Sequence, residues 1–243
     1  MRLKKRYLAA VAAAAVIGSM TVAAPALAAP GDPVVFPDAN FRACVNAQLG
    51  QQANAVITQA QAASIRTLEC DQMGIASLAG AESLTGLSTL RAPNNKIESL
   101  APISGLTTLT AVDAVSNRIQ DVTPLAGLSK LRLINIFDNA IADLSPVSKL
   151  TAVLYVDAAV QFPAVVAQCG APYLNPVKNS DGTAATLTGP GYDRASNTIN
   201  TTVPGTYEYD WTSSTANGSK FWGTLTVTVN DLCAPAPGIT PGA

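Results

Sequence analysis

Through its middle the chain repeats itself every 22 residues, and few folds can accommodate such a period. Asparagine recurs as Asn95, Asn117 and Asn139, with isoleucine in step as Ile75, Ile97, Ile119 and Ile141. Leu84, Leu106, Leu128 and Leu150 keep the same interval, as do Leu87, Leu109, Leu131 and Val153. The paired positions Leu90/Ala92, Val112/Ala114, Ile134/Ile136 and Val156/Ala158 keep it too. One coil therefore reads L-x-x-L-x-x-L-x-φ-x-x-N-x-I-x-x-L, where φ is apolar. A fixed period in the twenties with this spacing identifies a leucine-rich solenoid. A single coil cannot bury its own apolar face, so coils must stack on their neighbours. Recognition by an extended surface is then expected, rather than chemistry in a pocket.

Counting back one period places Leu68 and Cys70 in a first strand, although Met73 stands where the asparagine should be. Gln161 takes that place in the fifth coil, where the pattern ends. Strands are predicted near 67–71, 89–93, 111–115, 133–137 and 155–159. Alternate side chains point to opposite faces of a strand, so the apolar pair of each coil points inward and its neighbours point out. The outward set forms the concave face, with a middle column Glu69, Arg91, Asp113, Asn135 and Asp157. Leu133, Phe137, Tyr155 and Val115 should sit together and exposed on it, and exposed apolar clusters mark contact sites. The ligand-binding set is accordingly read as Arg91, Asp113, Val115, Leu133, Asn135, Phe137, Tyr155 and Asp157. Pro102, Pro124 and Pro146 also recur and mark the tight back of each coil.

The segments flanking the repeats have different signatures. Asp38 can cap a helix from Ala39 to Leu49, with Gly50 as the stop. Phe41, Cys44, Val45 and Leu49 give it one apolar stripe. Thr58 to Gln61 has capping-box spacing and starts a second short helix. An amphipathic element is needed to cover the open end of a solenoid, so this region is read as a cap. Beyond Pro172 leucine becomes rare, and Tyr207–Trp211 and Leu225–Val229 alternate as strands. Weaker strand segments precede them near 184–188 and 198–203, and together they predict a small antiparallel β-sandwich. The Pro/Gly-rich stretch 234–243 reads as a flexible tail.

Arg2, Lys4, Lys5 and Arg6, then an alanine-rich apolar run and Ala26-Leu27-Ala28, make a secretory signal peptide. Its removal leaves 11 Lys and Arg against 16 Asp and Glu, a net charge of −5. That balance argues against a nucleic-acid partner and against binding anionic lipid. Without any histidine, Ser-His-Asp and Cys-His catalysis are unavailable and most zinc or copper sites are excluded. No catalytic residue, metal site or cofactor is assigned. Four cysteines in an exported chain favour disulfides. Cys44 lies on the apolar stripe of the first helix and Cys70 points inward from the first strand, so these two should face each other. Cys169 opens the C-terminal β-region and Cys233 closes it, which gives the second pair.

The coil Ile119-Gln120-Asp121-Val122-Thr123-Pro124-Leu125-Ala126-Gly127-Leu128 resembles the internalin repeat. Phe36 to Arg42 resembles the opening of the internalin cap, and Gly205–Tyr209 and Phe221–Leu225 are similar to strands of the Ig-like domain found after internalin repeats. The resemblance implies an α/β leucine-rich-repeat solenoid with a helical N-terminal cap, followed by an all-β Ig-like sandwich. Its expected parts are a signal peptide (1–28), leader and helical cap (29–64), repeats (65–168), Ig-like sandwich (169–233) and tail (234–243). It implies a bacterial adhesin, secreted or at the cell surface, that binds a protein ligand through the concave face as a monomer. No membrane insertion is expected after signal cleavage. The sequence carries no cell-wall sorting motif or hydrophobic tail, so covalent anchoring is not expected. With only about five coils, a passive structural or wall-associated spacer is the alternative.

Overall fold

The computed structural model describes residues 29–153, 155–161, 163–179, 181–214 and 220–230. At Tyr155, Ala159, Val160, Ser213, Ser214 and Lys220 only the strand backbone is described. The signal segment 1–28, Cys233 and the tail 234–243 lie outside the described residues. Among the described residues no helix is long and apolar enough to cross a membrane.

The chain opens with β1 (Pro33–Val34), α1 (Ala39–Gln48), β2 (Ile57–Thr58) and α2 (Gln59–Ser64), with β1 and β2 paired antiparallel. Asp38 caps α1 by accepting from the amides of Asn40 (2.9 Å) and Phe41 (3.0 Å), which would otherwise lack partners. The helix stops at Gly50, whose φ of 68° is left-handed and costs glycine nothing. Phe41, Cys44 and Val45 are buried, so the predicted stripe faces the first coil. Thr58 and Gln61 form the expected capping box.

The coils contribute β3 (Thr67–Glu69), β4 (Thr89–Arg91), β5 (Ala111–Asp113), β6 (Leu133–Asn135) and β7 (Tyr155–Gln161). They pair in parallel and in strict register, Leu68 beside Leu90, Val112, Ile134 and Val156. All five are buried, as is the second inward column of Cys70, Ala92, Ala114, Ile136 and Ala158. The first four coils each return through a short 3-10 turn, and Pro102, Pro124 and Pro146 sit inside three of these.

After β3 to β6 the chain turns through a left-handed residue, namely Gln72, Asn94, Ser116 and Asp138. Three of these turns lead into the ladder asparagine. Asn139 is typical. Its Nδ2 donates to the carbonyls of Ala114 (3.0 Å), Ile136 (3.0 Å) and Phe137 (3.2 Å), and its Oδ1 accepts from the Ile119 amide (2.9 Å). One buried side chain thereby satisfies backbone groups of two coils.

The fifth coil departs from this pattern. β7 does not turn but runs on as a strand to Gln161. The longer glutamine side chain still reaches Ile136 O (2.8 Å) and the Ile141 amide (3.0 Å), so it performs the ladder role from a straight backbone.

The remaining strands are β8 (Ala164–Ala167), β9 (Tyr173–Leu174), β10 (Leu187–Thr188), β11 (Tyr192–Asp193), β12 (Thr198–Ile199), β13 (Gly205–Ser214) and β14 (Lys220–Val229). β13 and β14 form a long antiparallel hairpin, with β10 on its far side. β9, β12 and β11 form a separate small antiparallel sheet. The strands after the repeats are nevertheless not purely antiparallel. β14 lies parallel to β7 over its first residues and parallel to β8 over its last. A solenoid leaves the backbone groups of its final strand unpaired, and β14 supplies them with partners. One sheet consequently runs from β3 to β10 through the hairpin.

The buried cluster is continuous as well, from Phe36 through the coils to Tyr209, Phe221, Leu225, Val227 and Val229. On the back of the last coil, Lys178 pairs with Asp143 at 2.9 Å and its amide donates to Ala142 O.

Candidate functional site on the concave strand face

Because the strands are in register, the outward side chains form rows that run across the coils. The first row is Thr67, Thr89, Ala111 and Leu133, with the Tyr155 backbone next in register, and the second is Glu69, Arg91, Asp113, Asn135 and Asp157. Two residues on, past the ends of β3 to β6, lies a third row, Asp71, Pro93, Val115 and Phe137. The pairing of Asn139 with Gln161 keeps the same offset beyond it. Adjacent members are about 4.8 Å apart.

The second row is partly self-satisfied. Arg91 stands between two acids, its Nη1 3.9 Å from Glu69 Oε1 and its Nε 3.8 Å from Asp113 Oδ2. Arg91 and Glu69 are more than half exposed, so water screens these contacts and each contributes little. Asp113 is different, since only 20% of its side chain is exposed. Among the described residues its Oδ1 has no hydrogen-bond partner, and neither does Oδ1 of the neighbouring Asn135.

Val115 and Phe137 are neighbours on adjacent coils, whereas Leu133 lies four residues, about 13 Å, back along the chain from Phe137, with Asn135 between them. Leu133 is exposed, while Val115 and Phe137 are half-buried against their strands. The Tyr155 backbone pairs with Leu133 as predicted, and its side chain lies outside the described residues. Asp157 is half-buried opposite Asn135. The described strands of the C-terminal hairpin join the edge of the sheet beside β7.

Sequence reasoning missed Trp222. Phe221 pairs with Ala158, and both are buried. Trp222, the next residue, therefore points to the opposite side, which is the concave one, and it is 40% exposed. The alternation of buried Phe221, Leu225 and Val227 already carried this signal. What sequence lacked was the neighbour relation between β14 and β7.

Of the predicted cysteine pairs, Cys44–Cys70 is formed, with Cα atoms 5.7 Å apart. Cys169 is disulfide-bonded as well, and its predicted partner Cys233 lies outside the described residues.

No protein-family model matches the chain. Over 55 residues, 23% of the chain, it is 42% identical to Internalin J of Listeria monocytogenes, of which this stretch is 6%. Among solved structures it resembles an internalin (InlF) from Listeria monocytogenes at 28% identity and a TM-score of 0.51. That match covers 63% of this chain and 44% of the other. Internalin C2 of the same organism is also 28% identical, over 54% of this chain and 70% of its own, at a TM-score of 0.42. The chain thus spans less than half the length of the first two of these relatives.

Proposed function

Proceeding from the fact that this chain is an internalin-like leucine-rich repeat protein, we propose that it is a secreted bacterial binding module whose concave face takes a protein ligand. In this reading residues 29–64 close the first coil as a helical cap, 65–168 present the ligand surface, and 169–233 form an Ig-like domain that closes the last coil. The contact residues are Val115, Leu133, Phe137 and Tyr155, with Arg91, Asp113, Asn135 and Asp157 as the polar frame. The observation that carries this reading is the neighbouring pair Val115 and Phe137 on the outward side of the coils, with Leu133 exposed further back on β6. Accessible apolar side chains supply contact area.

The ion pairs of Arg91 with Glu69 and Asp113 favour a second reading, a spacer whose surface charges answer one another. The two part on one experiment. A partner captured from host or bacterial surface extracts is titrated against the chain and against Phe137→Ala/Tyr155→Ala. Binding weakened more than about tenfold supports the concave site. No specific partner at all leaves the spacer, and unchanged affinity of a captured partner removes the concave face as its site.

A further inference from the structure

The third row of the concave face does not end with the last coil. Phe221 lies beside Ala158 and Gly223 beside Gln161, so Trp222 falls at the register shift opposite backbone positions 159 and 160. Pro93, Val115 and Phe137 thus lead towards Trp222, from the solenoid onto the C-terminal hairpin. The row is apolar throughout, and Trp222 is its exposed end. From Val115 to Trp222 it crosses three strand spacings, about 14 Å, the length of four or five extended residues.

Acids flank the row on both sides. On the solenoid side stand Asp113 and Asp157. On the hairpin side, Thr212, Asp210 and Glu208 share Trp222's face, because they pair with Trp222, Thr224 and Thr226. Asp210 and Glu208 are exposed, and one oxygen of Asp210 accepts from the Thr224 hydroxyl (2.8 Å). With Glu69 and Asp71 added, the acids outnumber Arg91 and Lys220, the basic residues these strands carry, and Arg91 is already engaged.

From this we infer that Trp222 is a ligand-anchoring residue and that the segment seated along the row is a cationic, partly apolar stretch of protein, lying across both the coils and the hairpin. The inference rests on the concave-face reading and adds to it a residue outside the repeats and a charge for the partner. A broad aromatic ring supplies contact area at low entropic cost, and the surrounding carboxylates select basic side chains over acidic ones.

The test uses a random twelve-residue phage-displayed library selected on the full chain, followed by affinity measurement with the enriched peptides as synthetic probes. Enriched peptides should combine Lys or Arg with aromatic or aliphatic residues. Their affinity should fall about tenfold on Trp222→Thr, which puts a residue of good strand propensity in its place, and should largely survive Trp222→Phe. It should also fall as salt is raised. Circular dichroism confirms that both variants are folded. Acidic or uncharged enriched peptides overturn the inference, as does equal binding by Trp222→Thr. Peptides that lose affinity on Phe137→Ala but not on Trp222→Thr overturn it while sparing the concave site. Enrichment of nothing, with binding to an oligosaccharide array instead, overturns both.

Discussion

Gly223 lies directly against the backbone of Gln161, so close that a Cβ added at 223 would collide with the Gln161 carbonyl. This contact falls where β14 takes its place beside β7, and where the register shifts between Phe221 and Gly223. The glycine is required there for space, since only a residue without a side chain lets the two backbones approach. Backbone cannot yield as a flexible side chain can, so Gly223→Ala should cost about 1–3 kcal/mol. Gly105→Ala, with nothing within 4 Å of the added carbon, should change stability by less than about 0.5 kcal/mol. Urea unfolding of both variants measures the contrast.

The asparagine ladder gives a second prediction. Asn139 is 3% exposed and serves four backbone groups. Asn139→Ala strands several of them without water, at about 2–4 kcal/mol. Gln161→Asn tests the change of side chain in the fifth coil. One methylene shorter on a straight strand, it should lose Ile136 O and the Ile141 amide and cost about 1–3 kcal/mol. Equal stability of wild type and Gln161→Asn would mean that the glutamine does not substitute for the ladder residue.

Those two residues also mark what sequence could and could not reveal. Stacking was legible because every coil must bury the same columns, so Leu90, Val112, Ile134 and Val156 repeat at a fixed interval. The first helix was legible because its cap and stripe are local. The joining of β14 to β7 was not, because it is made by backbone hydrogen bonds between strands distant in sequence and imposes no side-chain period. Its traces are an inconspicuous Gly223 and an outward Trp222. The candidate site was therefore legible as far as Phe137 and illegible beyond the last coil.

Asp38 predicts a pH dependence. Burial opposes its ionisation, but the amides of Phe41, Ala76, Ser77 and Asn40 outweigh that and hold the carboxyl below the ordinary aspartate range. Oδ1 serves the helix and Oδ2 serves Ala76 (2.8 Å) and Ser77 (3.0 Å), so one carboxylate ties α1 to the first coil. A folded-state pKa below the unfolded one means that the folded chain binds fewer protons. The stabilisation is therefore complete above the unfolded value, about 3.9, and is lost as pH falls from there through the lower folded value. Asp38→Ala should lower the urea midpoint at pH 7, and the gap to wild type should narrow below about pH 4. Asp143 has the same sign: burial opposes its ionisation too, and Ser145 and Lys178 prevail. A gap that stays constant down to about pH 2 would refute the role given to Asp38.

The disulfides give the last prediction. Cys44 and Cys70 are 26 residues apart in sequence, and their bond ties the buried face of α1 to the first strand. In the chain-entropy account, closing a loop of that length contributes about 3–4 kcal/mol. Cys44→Ser/Cys70→Ser should lose that amount in urea unfolding, and limited proteolysis should then cut first within residues 29–64, because the helices lose their covalent hold before the coils lose their stacking. Among the described residues no cysteine is free, and Cys169 is bonded as well as Cys44 and Cys70. The intact mass of the oxidised chain should then lie about 4 Da below that of the reduced one, as two bonds remove four hydrogens. Thiol titration under denaturing, non-reducing conditions gives the independent check, and four reactive thiols there would refute both bonds.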